Sequence, residues 1–314
     1  MSVGRSISAK DVSAAGQSRA VLLAGLFAAS LGAFWRPLSF LAQSAWQRDE
    51  YTHILLVLPV SLALIFLEGR TLSLEPRYSP MGGLTLLGLA AALRAGSAAL
   101  GQDAGLALNT VALVVCWLGA VWLSYGAQVF RSLQFPLLFL FMLVPLPVSV
   151  LDRAVFFLQL GSTEATFLLF RLNGVAVMKQ GFVLSMPSLS IEVAKECSGI
   201  RSSMMLLVTG LVLSHLFLRS WVNQVIFVLF IVPMAVIKNA VRIFTLSMLA
   251  MRVDPGFLEG SLHRDGGIVF FTLGLLAMVG LLWLLRRIER NRRNLGDSGG
   301  PGTDLPLGAK ASAL

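Results

Sequence analysis

The chain has 314 residues, of which 56% are hydrophobic and 13% are charged, and its mean hydropathy is +0.79. Soluble domains carry about 25% charged residues, so this composition excludes a soluble protein and predicts an all-α polytopic membrane protein. The net charge of +9 does not indicate nucleic-acid binding, because the cytoplasmic loops of membrane proteins are rich in Arg and Lys. The two cysteines, Cys116 and Cys197, give neither a disulfide framework nor a metal cluster, and we expect no cofactor.

The membrane segments can be counted from the apolar stretches. A bilayer core of about 30 Å requires about 20 apolar residues per helix. Residues 1–19 are polar and mildly basic, and the apolar run after them lacks a clear cleavage site, so we expect a retained helix. Eight stretches are predicted to cross the membrane: 20–41, 51–68, 81–100, 104–124, 133–151, 199–217, 224–251 and 267–285.

A ninth apolar stretch, 154–173, is ambiguous. Its polar side chains are costly in lipid unless they face protein or water. They are Gln159, Ser162, Thr163, Glu164, Thr166 and Arg171. The position of the basic residues decides this case, because the strongest cluster follows the last helix and predicts a cytoplasmic C-terminus. This cluster consists of Arg286, Arg287, Arg290, Arg292 and Arg293.

The N-terminal segment, 1–19, also carries basic residues and is placed in the cytoplasm. Two cytoplasmic ends require an even number of crossings, so 154–173 is predicted to be interfacial or re-entrant. The chain then divides into this N-terminal segment, a transmembrane domain over 20–285 that carries the candidate site, and a cytoplasmic tail over 286–314. The tail begins with the basic cluster and is Gly-, Pro- and Ala-rich from residue 294, which predicts disorder.

Residues 175–193 differ in kind from the helices. Apolar residues alternate with others, and Gly181 and Pro187 interrupt the run. This pattern predicts two or three short strands, a hairpin-like segment outside the bilayer that leads directly to Cys197. Two interpretations stay open: the segment cradles an extended peptide substrate, or it is an ordinary solvent cap on a helix bundle.

Cys197 lies where a polar stretch gives way to an apolar helix. A helix N-terminus stabilises a thiolate, and Lys195 and Arg201 add positive charge nearby. A thiolate in such a place is a candidate nucleophile. Cys116, in contrast, lies in the middle of an apolar helix, where free cysteines are commonly buried and inert.

The immediate neighbours of Cys197 act in two directions. Ser198 and Gly199 are small, so a substrate backbone could approach the thiol closely. Glu196 opposes activation, because a nearby carboxylate raises the pKa of a thiol unless a cation engages it.

A second polar feature lies inside an apolar helix. Lys238, Asn239 and Arg242 are spaced so that the two cations share one face, with the amide beside them. A charge inside the bilayer costs at least about 2.5 kcal/mol and usually indicates function. The alternative is an arginine that snorkels to the interface. Arg242 lies nine residues before the predicted outer end of its helix, about 14 Å deep, which is deep for snorkelling.

The chain has three histidines, His53, His215 and His263. The predicted topology places His53 and His263 on the same outer side as Cys197, and His215 at the cytoplasmic end of its helix. The hypothesis is that Cys197 attacks a carbonyl, a histidine transfers the proton and Arg242 stabilises the oxyanion. His263 and His53 both stay candidates for the proton transfer.

Several short motifs resemble the exosortase/archaeosortase family. Their order and spacing match over roughly residues 46–285. The motifs are residues 193–202 around Cys197, the run 239–243 that contains Arg242, His263 followed by Gly266, residues 50–59 and residues 145–147. Thr52 stands where many members have serine, so the subfamily and the recognised signal stay open.

The resemblance implies an eight-helix transmembrane enzyme in which Cys197, Arg242 and His263 are catalytic. Such enzymes are thought to cleave C-terminal PEP-CTERM-type sorting signals on exported proteins, and in bacteria they accompany exopolysaccharide export. The implied partners carry a short motif, a hydrophobic helix and a basic cluster, and the site would face the periplasm from the inner membrane. Supporting roles in substrate binding are predicted for His53, Glu196, Ser198, Gly199, Arg201 and Asn239.

A competing class is a non-enzymatic or polysaccharide-handling membrane protein, such as an exopolysaccharide polymerase, flippase or permease. Internal repeats or helices broken at matching positions are typical of such transporters. The sequence shows no repeat, and its intramembrane charges are few: Arg94, Lys238 and Arg242.

Overall fold

The computed structural model describes residues 9–70, 80–195, 199–254, 256 and 267–297. The helices are α1 (Ala9–Ala33), α2 (Trp35–Gln47), α3 (Ile54–Gly69), α4 (Pro80–Gly96), α5 (Gln102–Ser132), α6 (Gln134–Phe139), α7 (Val148–Leu172), α8 (Ile200–Phe217), α9 (Trp221–Arg252) and α10 (Gly267–Asp297). The strands are β1 (Met178–Gln180), β2 (Val183–Met186) and β3 (Leu189–Glu192). Short 3-10 turns cover Asp49–Tyr51, Ser97–Ala99 and Leu140–Leu143.

The described helices are those of a multi-pass membrane protein. Seven are long and apolar enough to cross a membrane, and the number becomes eight if the bent pair α1 and α2 forms one span. The prediction of an all-α fold with about eight crossings is therefore confirmed, although the bounds of several helices differ from the predicted ranges.

The stretch 20–41 is not one straight helix. α1 and α2 meet at an angle of 75°, with the break at Phe34. Pro37 lies in the first turn of α2 and lacks a backbone N–H. The backbone hydrogen bonds of α1 therefore cannot continue through this residue. Helix α1 also begins at Ala9, well before the predicted start at residue 20.

The predicted crossing at 133–151 is wrong as a continuous helix. α6 ends at Phe139, a 3-10 turn follows, and the chain from 144 to 147 is not helical. Pro145 and Pro147 account for the break, because a proline lacks the backbone donor and disfavours helical conformation in the residue before it.

The segment from α6 to the start of α7 nevertheless runs along α3. Near the C-terminal end of α3, Glu68 pairs with His215 at 2.6 Å, and the Phe135 ring stacks on that imidazole with centroids 3.7 Å apart. At the N-terminal end of α3, the Tyr51 hydroxyl donates to the Leu146 carbonyl at 3.1 Å. The broken segment thus covers the same depth as α3.

Helix α7 contains the ninth apolar stretch. The stretch 154–173 lies almost wholly within this continuous 25-residue helix, which is long and apolar enough to span a membrane by length and composition. Both ends of α7 nevertheless lie at one end of the bundle, because it starts beside Leu146, which bonds to Tyr51, and leads through the sheet to the start of α8. An interfacial or re-entrant segment therefore stays the prediction. Its polar residues Gln159, Ser162, Thr163 and Thr166 are at most 5% exposed. These four face protein, whereas Glu164, which pairs with Lys179, and Arg171 are exposed and would be costly in lipid.

Helix α5 is the centre of the first half of the bundle. It is the most buried span, since 61% of its most apolar 18-residue segment is buried inside the protein, against at most 33% for the other six spans. Trp117 joins it to α1, since its indole N–H donates to the Ser30 hydroxyl at 2.9 Å and its ring stacks on Phe27. Arg94, at the end of α4, lies over the Phe34 ring at 5.5 Å, which gives this intramembrane charge a cation–π contact.

The three strands form an antiparallel sheet in the order β1-β2-β3, as the alternation over 175–193 predicted. Gly181 makes the turn between β1 and β2 with a φ of 61°, a conformation that favours glycine. Leu184 and Met186 of β2 pack against Phe170 of α7, which contacts Phe244 of α9. The sheet is therefore fixed to α7 and to the C-terminal half of α9.

The second half of the bundle is the packing of α8, α9 and α10. Its core is formed by Leu206, Phe227, Ile231, Met278, Leu282 and Leu285, with Leu218 at the end of α8. Helices α8 and α9 run antiparallel, and Gly210 of α8 provides the space that Ile231 of α9 occupies.

The close packing of α4 on α5 generates a stability prediction. A Cβ added at Gly83 would lie 2.7 Å from the Leu123 backbone, so Gly83→Ala must push the two helices apart. We expect a loss of about 1–3 kcal/mol in the free energy of unfolding, measured as a lower Tm in detergent.

Gly88 is the matched control in the same helix, because a Cβ there meets nothing within 4 Å. Gly88→Ala is expected to leave the Tm unchanged or to raise it through helix propensity. Equal Tm values for the two variants would show that α4 and α5 are not in such close contact.

Candidate active site

The first turn of α8 is fixed by the residue that precedes it. Gly199 has a φ of 71° and a ψ of 20°, in the left-handed region where side chains are strained. Its carbonyl accepts hydrogen bonds from the Ser202 hydroxyl at 3.0 Å and the Ser203 hydroxyl at 2.8 Å. A Cβ at Gly199 would lie 3.0 Å from Asn239 Oδ1, so glycine also permits close approach to α9.

Asn239 joins three helices at this point. Its side chain is 1% exposed, its oxygen faces Gly199 of α8, and its amide donates to the Ser162 hydroxyl of α7 at 3.0 Å. Thr166, one turn further along α7, donates to the Ser162 carbonyl at 2.6 Å. A buried amide that bonds to α7 and packs against the residue before α8 holds these elements in one arrangement.

Lys238 is bonded inside the bundle. Its side chain is 7% exposed, and its ammonium donates to the Ser202 hydroxyl in the first turn of α8. Its aliphatic part lies against Gly274 of α10, where an added Cβ would be 3.2 Å from Lys238 Cδ. This buried cation therefore links α8, α9 and α10.

Arg242 follows Lys238 by one turn on the same face of α9 and is half-buried. Because they are one helical turn apart on one face, the two cations lie close enough to repel each other. Lys238 lies beside the N-terminus of α8, where the helix dipole also favours negative charge. The arrangement is suited to stabilise an anion, either a thiolate or the oxyanion of an acyl intermediate.

The chain that approaches α8 from the sheet is held from α7. The Val193 carbonyl accepts a hydrogen bond from the Gln159 amide at 2.9 Å. Lys195 pairs with Asp152 at 3.3 Å, with both side chains more than half exposed. These contacts fix where the chain leaves the sheet. The predicted residues Glu196, Cys197 and Ser198 lie outside the described residues.

Arg201 and His53 belong to the same end of the bundle. Arg201 pairs with Asp49 at 2.8 Å, which brings the start of α3 to the start of α8. His53 is 4% exposed, and its Nδ1 lies 3.0 Å from the Glu50 carbonyl. The imidazole is thus held by local backbone. The Asp49 carboxylate also offsets part of the positive charge that Arg201 was predicted to add near Cys197.

The other two histidines are separated by the fold. His215 lies near the C-terminal end of α8, about 24 Å along the helix from Gly199, where it pairs with Glu68. His263 lies outside the described residues. Helix α10 begins at Gly267, and its contact with Lys238 is made two turns later at Gly274. The start of α10 therefore lies on the Arg242 side of Lys238.

Sequence reasoning missed the partners of the polar face of α9. Ser162 and Gln159 had been counted as costs of a membrane helix, and Ser202 was not considered. The polar residues in 154–173 could have indicated these contacts, because buried polar groups require hydrogen-bond partners. No group of three or more His, Cys, Asp or Glu within the described ranges could hold a metal ion.

Comparison with known proteins gives one informative result. No curated protein and no solved structure matches the chain. Residues 46–280 match the family described as transmembrane exosortase. This region contains the helices α3 to α9, the sheet and the N-terminal half of α10, and so every residue of the candidate site. The chain belongs to the transmembrane exosortase family.

Proposed function

We propose that this protein is a membrane-embedded cysteine peptidase or transpeptidase that cleaves C-terminal sorting signals of the PEP-CTERM type from exported proteins. The observation that carries the proposal is the packing of the first turn of α8 against Lys238 and Asn239 of α9, with Arg242 one turn further along the same helix. Cys197 precedes Gly199 by two residues, which span at most about 7 Å. Membership of the exosortase family supports a sorting role of this kind.

The chemistry follows from these groups. Cys197 loses its proton to His263 and attacks the scissile carbonyl, whose oxygen becomes an anion stabilised by Arg242. The C–N bond breaks as His263 returns the proton to the leaving amine, and a thioester remains. Attack by water gives a free carboxylate, and attack by an amine gives a new amide.

The orientation belongs to the same proposal. The arginine-rich end of α10 lies in the cytoplasm of a bacterium, as the positive-inside rule implies, and the N-terminus lies on the same side. The N-terminus of α8 then opens to the periplasm, where exported proteins and exopolysaccharide are handled.

The open edge of the sheet is the proposed binding surface for the extended part of the substrate. The Val193 N–H donates to the Phe182 carbonyl at 3.0 Å, which makes this pair a hydrogen-bonded one. Hydrogen-bonded and non-hydrogen-bonded pairs alternate in an antiparallel ladder, so Ser190 and Glu192 direct their backbone groups away from β2. Within the described strands β3 is an edge, and it continues towards Cys197.

The nucleophile is tested by co-expression with a tagged exported protein that carries such a C-terminal signal. Cys197→Ala and Cys197→Ser are expected to lower processing at least about 10³-fold, because the covalent intermediate cannot form or forms far more slowly. The measurement is the ratio of processed to unprocessed substrate on a gel.

Cys116→Ala is the matched control. This second thiol lies within α5 and is not part of the candidate site. Its removal should therefore leave processing unchanged. Normal processing by both Cys197 variants would remove Cys197 as the nucleophile.

The two histidine candidates differ in the expected response. His263→Ala should lower the processing rate by about 10²–10⁴-fold with an unchanged Tm, as expected for a general acid–base residue. His53→Ala removes a buried ring, so it should lower the Tm. A His53 variant with a normal Tm and no processing would instead assign proton transfer to His53.

Binding along β3 is tested at Ser190. Ser190→Pro removes one outward backbone donor at an edge position that tolerates proline, and we expect about tenfold weaker processing with a normal Tm. Ser190→Ala is the control, since it removes only the hydroxyl that contacts Ser185 at 3.1 Å and keeps the backbone donor. Equal processing by the two variants would exclude strand addition at this edge.

A further inference from the structure

A basic cleft lies at the end of the bundle opposite the candidate active site. It has a volume of about 180 Å³ and is lined by Phe217, Arg219, Arg286, Glu289 and Arg290. These residues come from the end of α8, the connection to α9 and the C-terminal part of α10. Nothing in the proposed chemistry uses this cleft.

The single carboxylate of the cleft is engaged by the N-terminus of α9. Glu289 accepts hydrogen bonds from the Ser220 N–H at 3.0 Å, the Asn223 amide at 2.9 Å and the Arg219 N–H at 3.3 Å. Glu289 of α10 therefore caps the N-terminus of α9. Its oxygens accept hydrogen bonds from N–H groups that have no partner within α9, and its charge is favourable at that end of the helix dipole. Three guanidinium groups against one capping carboxylate leave the cleft with an excess of positive charge.

The surroundings of the cleft are apolar. The Arg286 guanidinium lies over the Phe217 ring at 5.2 Å, and the Arg287 guanidinium lies over the Trp283 ring at 5.4 Å. Trp221 is 73% exposed and Trp283 is 58% exposed. Exposed tryptophans beside arginines at the ends of apolar helices are typical of the headgroup level of a bilayer.

We propose that this cleft binds the phosphate of an anionic phospholipid. Guanidinium groups match phosphate oxygens in bidentate geometry, and basic pockets between membrane helices recognise acidic headgroups. The apolar rim that surrounds the arginines would contact the acyl chains, which a soluble phosphate lacks. The assignment to the inner leaflet rests on the proposed orientation, whereas binding itself does not.

The experiment uses the full-length protein, purified in a neutral detergent and depleted of lipid. Phosphatidylglycerol is expected to raise the Tm by about 5 °C at a hundredfold excess over its dissociation constant. Phosphatidylcholine and glycerol 1-phosphate, the zwitterionic and the soluble probes, should give no comparable shift. Arg286→Gln combined with Arg290→Gln should weaken the binding of phosphatidylglycerol about thirtyfold.

Arg70→Gln is the matched control. Arg70 follows α3 at the same end of the bundle and lies over the Phe66 ring at 4.1 Å, but it is not part of the cleft. This variant should bind phosphatidylglycerol like the unaltered protein. Should the double variant be unstable without lipid, Arg219→Gln in the connection between α8 and α9 tests the same cleft.

Three results would overturn the proposal. An equal shift with phosphatidylcholine would indicate general solvation by lipid, and an equal shift with glycerol 1-phosphate would indicate a soluble phosphate ligand. Unchanged affinity in the arginine variants would place the lipid elsewhere. The leaflet is tested separately in a Cys116→Ser chain, where an impermeant maleimide should label Cys197 in intact spheroplasts; labelling only after permeabilisation would reverse the leaflet.

Discussion

The contact between Lys238 and Ser202 is the constraint on which the geometry of the candidate site depends. Taking an ammonium group out of water is very costly, and each hydrogen bond that it makes recovers part of that cost. The first turn of α8 supplies the hydroxyl, so α8 cannot slide along α9 without leaving a buried charge unsatisfied. Asn239 adds a second restraint of the same kind through Ser162 of α7. The polar face of α9 thereby sets the position of the chain that enters α8.

Polar groups in this protein lie where helices must keep a fixed register. The apolar core of α8, α9 and α10 supplies non-directional packing, which volume-conserving changes could satisfy in several ways. The bonds from Gln159 to Val193 and from Asn239 to Ser162 are directional and tie the sheet, α7 and α9 together. Replacement of either amide by an apolar residue should therefore disturb the alignment of the site more than the fold.

The sequence predicts the class of fold because hydropathy and length decide whether a helix can span a bilayer. It also predicts the short strands, since the alternation and Gly181 are local signals. Hydropathy does not reveal breaks inside apolar runs, so the bend at Phe34 and the interruption before Pro145 were missed. The contacts of the polar residues in α7 were missed because their partners are distant in sequence.

The candidate site was predictable only in part, because the sequence shows spacing within one helix but not contacts between helices. The spacing of Lys238, Asn239 and Arg242 is a property of one helix and can be read from the sequence. The approach of Gly199 to Asn239, and the ion pair of Arg201 with Asp49, are tertiary contacts without a local signal. The catalytic assignment of Cys197 and His263 stays a prediction, since both lie outside the described residues.

The length of α9 has a consequence for access to the site. The helix has 32 residues and is about 48 Å long, whereas the hydrocarbon layer is about 30 Å thick. With Trp221 at one interface, Arg242 lies about 31 Å away, near the opposite surface rather than 14 Å deep as the helix end had suggested. Under the proposed mechanism, a thioester formed at that level would meet bulk water as well as amines. The choice between hydrolysis and transfer would then be set by the protein that shields the acyl group, not by the membrane.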